Sequence, residues 1–175
     1  MHSYPKIEQV DLPPASRLSS SYGQADFADA FSVDLAETAA DDAASLARHA
    51  FAKQPEWIAL LVKFRDLLVW PLGLKRSVDL LARQANVDER ISFFRVFERH
   101  DHEVVLGEND KHLDFRVSVL VQPASQGRSR RLILTTLVFY NRPLGRAYIA
   151  LIAPFHRRVV RATLDRAQQV GWPTA

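Results

Sequence analysis

The stretch Leu144–Gln169, LGRAYIALIAPFHRRVVRATLDRAQQ, decides how this chain must fold. Apolar residues recur at Leu144, Tyr148, Leu151, Phe155, Val159 and Ala162, the spacing of one face of an α-helix. Such a stripe has to be buried, and what precedes it is a run of strand-like segments. The reading is one long helix gripping a curved antiparallel sheet. Pro154 falls inside the helix and should kink it, because it removes a backbone hydrogen bond and crowds the preceding turn. Phe155 is expected to turn inward, and Arg157, Arg158 and Arg161 to form the wet side.

Working back from the helix, Arg131–Tyr140 is apolar on both faces and reads as a central strand covered on each side. Leu113, Phe115, Val117, Val119 and Val121 alternate with mostly polar positions, the period of a half-buried strand. Pro123–Arg130 is a turn, and Gly107–Asp110 is read as another. Phe93–Arg99 and Glu103–Leu106 form a hairpin around His100–His102. Earlier still, Phe27, Phe31, Val33 and Leu35 share one face of a strand over Ala25–Leu35, with Asp29 the one polar exception on that face. Glu37–Ala52 is an alanine-rich helix. A second helix opens at Pro55, with Trp57, Leu60, Leu61, Phe64, Leu67 and Leu68 as its stripe. Leu74–Arg90 fits either a short helix or a covering loop.

These elements give an α+β fold: a curved antiparallel sheet, two short helices and a long kinked C-terminal helix. Residues 1–24 read as an extended arm, with Lys6–Val10 a potential edge strand, and residues 25–175 as a single domain.

Composition agrees with one globular domain of 175 residues, 47% hydrophobic and 25% charged. The absence of cysteine excludes disulfides, thiolate metal sites and cysteine nucleophiles, and fits a cytoplasmic location. The first residues lack the apolar core of a signal peptide, and no run is long and apolar enough to span a bilayer. The net charge of +3 hides an asymmetry: −5 over residues 1–50, +3 over 51–100 and +5 over 101–175. The basic excess is read first as a solvated face, and as an anion or nucleic-acid surface only second. No nucleic-acid partner and no stable membrane insertion are expected.

Several residues could carry chemistry. His112, Asp114 and Arg116 alternate on one strand face, where a carboxylate between an imidazole and a guanidinium could orient both. A structural ion-pair ladder is the simpler account of the same pattern. His100 and His102 have metal-like spacing, but they sit at a hairpin tip and are read as loop histidines; no metal or cofactor is expected. Asn141–Arg146 resembles a turn into a helix start rather than a dinucleotide fingerprint. Tyr140 and Tyr148 carry hydroxyls that need partners if buried, and so could orient a ligand. His156 could face either the sheet or solvent.

Two segments resemble a bacterial domain family of unknown function. These are Gly107–Arg116, GENDKHLDFR, and the run from Asn141 through Gly145–Tyr148 to Pro154–His156. Trp57–Lys75 is similar to the same family. Members of that family also occur as C-terminal appendages of short-chain-dehydrogenase-like proteins, and the family is similar to the helix-grip superfamily of START lipid-transfer and birch-allergen proteins. The resemblance implies a cavity between the sheet and the last helix. It implies no activity, catalytic residue or cofactor. Pro143, in the turn before Gly145, departs from the family pattern.

Three functional readings follow. The first is a module binding a small apolar or amphipathic molecule, lined by Phe115, Tyr140, Tyr148 and Leu151, with His112, Asp114, Arg116 and His156 as polar groups. The second is an enzyme of hydrolase or cyclase type, using the His112–Asp114–Arg116 cluster or His156 with Tyr148. The third is an interaction protein whose basic helix meets an acidic partner. Homo-oligomerisation stays open.

Overall fold

The computed structural model describes residues 5–52, 90–110, 113–125 and 127–174, with the side chains of Leu144 and Tyr148 also outside the description. The helix expected from Pro55 and the Leu74–Arg90 segment up to Glu89 lie outside it, as does His112. Among the described residues, seven strands form one antiparallel sheet: β1 Glu8–Val10, β2 Phe27–Asp34, β3 Arg90–Ile91, β4 Phe94–Arg99, β5 Glu103–Asn109, β6 Leu113–Gln122 and β7 Arg131–Tyr140. Their spatial order is β1-β2-β7-β6-β5-β4-β3. Among the described residues the curved sheet carries two α-helices, α1 Ala43–Ala52 and α2 Pro143–Val170. The fold is α+β.

β7 lies between β2 and β6, as its two apolar faces require. Its inner face carries Leu132, Leu134, Thr136, Val138 and Tyr140. These stand in register with Val33, Phe31, Asp29 and Phe27 of β2, and with Val121, Val119, Val117, Phe115 and Leu113 of β6. α1 and α2 cover this face. Ala43, Leu46, Ala47 and Phe51 of α1 and Val160 and Leu164 of α2 pack on it with Phe31, Val104, Leu106 and Val119. The helices are tied together where the His49 imidazole donates to the Ala167 carbonyl at 3.1 Å.

The outer face is covered by the N-terminal segment. Where the sequence suggests an extended arm, Arg17–Gln24 instead coils into a 3-10 helix that buries Leu18. Leu18 and Tyr22 pack there with Val105, Leu137 and Phe139. Glu103, only 4% exposed, fixes this segment. It accepts hydrogen bonds from the hydroxyls of Ser16 and Ser118, each at 2.6 Å, and from the Arg17 amide at 2.9 Å. A buried carboxylate is tolerable only with donors of this kind around it.

Three local readings change. α1 starts at Ala43, not Glu37, because Asp42 caps it: its carboxylate accepts from the Ser45 amide at 2.9 Å. The residues just before are taken up by the chain terminus, where the Ala40 amide donates to the Pro173 carbonyl at 2.7 Å. Gly107 belongs to β5 rather than to a turn. It pairs with Arg116, and a Cβ there would lie 2.2 Å from the Phe115 carbonyl oxygen, so only glycine fits the approach.

The third change concerns α2. Its sheet-facing row is Gly145, Ile149, Ile152, His156, Val160 and Thr163, each one position beyond the row expected from the sequence. One residue is about 100° of helix rotation. The expected row would run on into Arg166 and Gln169, whereas the observed row continues into Ala167, which is fully buried. The rotation leaves Leu151 54% and Phe155 51% exposed, correcting the expectation that both face the sheet.

Candidate functional site

The rotation of α2 places His156 over the one acidic residue on the inner face of β2. Its Nε2 donates to Asp29 Oδ1 at 3.3 Å. The imidazole also meets the Phe27 ring edge-on, with centroids 5.8 Å apart. Arg157, the next residue, brings its Nε to 4.0 Å from Asp29 Oδ2. Asp29 is nearly inaccessible, whereas about a quarter of the His156 side chain is exposed.

Thr136 stands directly opposite Asp29 on β7. Strand pairing therefore puts its hydroxyl on the same face as the carboxylate. Both Asp29 Oδ2 and Thr136 Oγ1 are buried and take no hydrogen bond. Two neighbouring polar atoms without hydrogen-bond partners are uncommon in a protein interior, where each costs about 1–3 kcal/mol. Thr135 and its unpartnered hydroxyl belong to the other face of the sheet.

The surroundings are apolar. On one side Leu113, Val138 and Ile149 form a cluster with Phe27, Phe115, Tyr140, Ile152 and Ala153. On the other lies the main core with Phe31, Val160 and Leu164. Asp29, Thr136 and His156 thus form a polar break between two greasy blocks under α2. The carboxylate can accept from a donor, the threonine hydroxyl can donate or accept, and the imidazole can hold or pass a proton.

The structure divides the residues singled out from the sequence. Phe115 and His156 both lie on the inner-face side of the sheet. Phe115 packs into both apolar blocks and meets Phe94 edge-on with centroids 5.8 Å apart. Tyr140 is half-buried at the far end of β7, and its amide donates to Asp26 at 2.7 Å. Burial, and then the negative charge of Asp26, push the Tyr140 hydroxyl above its ordinary pKa. Tyr148 lies on α2 with its side chain outside the description. Leu151 points away from the sheet.

Asp114 and Arg116 stand on the opposite sheet face from Phe115 and His156, because alternate residues of β6 point to opposite sides. Asp114 accepts the Asp110 amide at 3.0 Å, closing the β5–β6 turn. Arg116 lies 3.7 Å from the centre of the Phe97 ring and donates to the Phe115 carbonyl at 2.8 Å. Burial first lowers its pKa. These two residues shape a hairpin and do not join the His156 site.

His100 pairs with Glu98 at 3.3 Å on an exposed edge. Among the described residues no three His, Asp or Glu side chains are grouped to hold a metal, and no helix is long and apolar enough to cross a membrane.

Sequence reasoning marked Asp29 as an oddity and His156 as ambiguous, but did not join them. Thr136, inside an otherwise apolar strand, gave no signal by itself. The joining signal is pairing register: a lone acid on one strand opposite a lone hydroxyl on the next.

A family profile described as "Protein of unknown function (DUF2867)" matches residues 21–163. The chain belongs to that family. No curated protein and no solved structure matches it. The DUF2867 match spans β2 through β7, α1 and most of α2, and so includes Asp29, Thr136 and His156. It leaves out β1, Ser16 and the last turns of α2.

Proposed function

We propose that this DUF2867 protein binds a small, largely apolar molecule carrying one hydrogen-bond donor, a hydroxyl or an amine, between the inner sheet face and α2. The observation that carries the reading is the pair of buried oxygens at Asp29 and Thr136 that take no hydrogen bond. A ligand hydroxyl or amine would donate to Asp29 Oδ2, and Thr136 would complete the contact. Phe27, Phe115, Val138 and Ile149 would pack against its apolar body. A carboxylic acid fits poorly, since Asp29 would repel it.

Within this proposal the fold is of the helix-grip type and the protein works in the cytoplasm. The long helix across a curved sheet supports the first, and the cysteine-free composition is consistent with the second.

The test is a thermal-shift screen with matched sets of apolar alcohols, phenols, amines and carboxylic acids, alongside native mass spectrometry of the purified protein. Alcohols or amines should raise Tm, acids should not, and Asp29→Asn, whose amide oxygen is a weaker acceptor without the charge, should reduce the shift, most for the amines. No shift with any donor-bearing compound, together with a bare protein by mass spectrometry, would overturn it.

A second reading is acid–base catalysis by His156, favoured by its contact with Asp29, which would orient the imidazole. Turnover of a bound compound, lost in His156→Gln while binding persists, would select this reading over simple binding.

A further inference from the structure

We propose that the outward side of α2 docks on a bilayer with anionic headgroups, the helix lying in the plane of the interface. Leu151, Phe155 and Arg158 follow one another at spacings of four and three and so line one side of the helix. Leu151 and Phe155 are the two large apolar side chains more than half exposed to solvent among the described residues. Pro154, Arg157, Arg158 and Arg161 are exposed around them.

The charge here has one sign. From Leu144 to Leu164 the helix carries Arg146, Arg157, Arg158 and Arg161 and no acid. Arg157 and Arg161 lean toward the sheet, the first near Asp29 and the second 5.3 Å over the Phe31 ring. Arg146 and Arg158 form no ion pair among the described residues.

A bilayer interface uses both halves of this surface. Leucine and phenylalanine can enter the acyl boundary while arginines meet headgroup phosphates. A nucleic acid would use the arginines and leave Leu151 idle. A second copy of the chain would set arginine against arginine if it docked through the same face. The shared chemistry of grease and positive charge therefore points to anionic lipid. This surface lies on the side of α2 away from Asp29, so the inference stands apart from the proposed ligand site.

The experiment is flotation of the intact protein with vesicles of phosphatidylcholine alone and of phosphatidylcholine with phosphatidylglycerol. Binding should require the anionic lipid and weaken as salt rises. Arg158→Gln should weaken it about five-fold, the effect of one basic residue at such a surface. Leu151→Ser with Phe155→Ser should weaken it about ten-fold or more, through lost apolar burial, with Tm unchanged because both positions are exposed. Binding equal on both vesicle types, binding indifferent to both sets of substitutions, or displacement of the protein from vesicles by single-stranded nucleic acid would overturn the inference. So would a dimer that dissociates in the Leu151→Ser, Phe155→Ser variant.

Discussion

Asp29 and His156 lie 127 residues apart in sequence and 3.3 Å apart in space. One comes from the strand beside β1, the other from the middle of the last helix. Their meeting follows from how α2 is rolled on the sheet, and it leaves half of a buried carboxylate, Oδ2, without a hydrogen bond. Glu103 on the outer face is the useful contrast, since three donors surround it. One acid is saturated as a structural group would be. The other is not.

That contrast predicts opposite mutational costs. Asp29→Asn should change the unfolding free energy by less than about 1 kcal/mol, because the amide oxygen can still accept from His156 and the pairing lost with the half-exposed Arg157, at 4.0 Å, is weak. Urea denaturation measures this directly. A loss of about 3 kcal/mol or more would make the Asp29–His156 contact a fold-holding pair and weaken the ligand reading.

Glu103→Ala should cost about 3 kcal/mol or more, since Ser16, Ser118 and the Arg17 amide all lose their buried acceptor. For a chain of this length that is roughly 6–12 °C in Tm. Glu103→Gln should be milder, as the amide oxygen can still accept. If the alanine variant melts within 2 °C of wild type, the N-terminal segment is not held as described.

Much of the fold was legible in the residues themselves. Period-two alternation located β2 and β6, apolarity on both faces located β7, and the apolar spacing from Leu144 onward located α2. What escaped reading was decided by contacts distant in sequence. The alanines before Asp42 look helical, but the chain terminus takes them up at Pro173. Leu18 lies in a polar, serine-rich stretch, and only the outer sheet face gives its 3-10 helix a reason to form. The candidate site was half legible: a lone acid on an apolar strand face stands out, whereas the helix residue that meets it depends on a rotation that hydrophobic spacing leaves one residue short. The His112–Asp114–Arg116 run drew notice by composition, yet pairing register sends Asp114 and Arg116 to the face away from α2.

Gly107→Ala should be disproportionately harmful for so small a change. The added methyl would fall 2.2 Å from the Phe115 carbonyl oxygen, and backbone cannot step aside as a side-chain tip can. A loss of about 1–3 kcal/mol is expected, read as a lower midpoint in urea with an unchanged slope. A neutral result would mean that β5 and β6 are less closely joined at this point.

Asp42 predicts a pH effect. Burial opposes its ionisation, but hydrogen bonds from Ser45 and Ala44 and the charge of Arg99 outweigh that and lower its pKa below 3.8. A carboxyl whose pKa is lower folded than unfolded stabilises the fold above the unfolded value, and the contribution fades as pH falls through the folded value. Asp42→Asn keeps a capping acceptor but does not titrate. Its stability deficit at neutral pH should therefore shrink below pH 3.8 and vanish once Asp42 protonates. Asp42→Ala should cost about 1 kcal/mol at neutral pH through the lost cap. A deficit for Asp42→Asn that stays constant on acidification would show that the charge contributes nothing.

The roll of α2 can be tested by two truncations on neighbouring rows of the helix. Ile149 is 7% exposed and packs with Leu113 and Val138, whereas Leu151 is 54% exposed. Hydrophobic spacing alone would assign Leu151 to the sheet and Ile149 to the flank. In the observed orientation Ile149→Ala should cost about 2–4 kcal/mol through lost burial and the space left behind, and Leu151→Ala less than about 0.5 kcal/mol. Each can be read from a denaturation midpoint in the same buffer. If the order were reversed, α2 would have to turn by one residue. His156 would then leave Asp29, Leu151 and Phe155 would leave the solvent, and the ligand site and the docking face would both lose their geometric basis together.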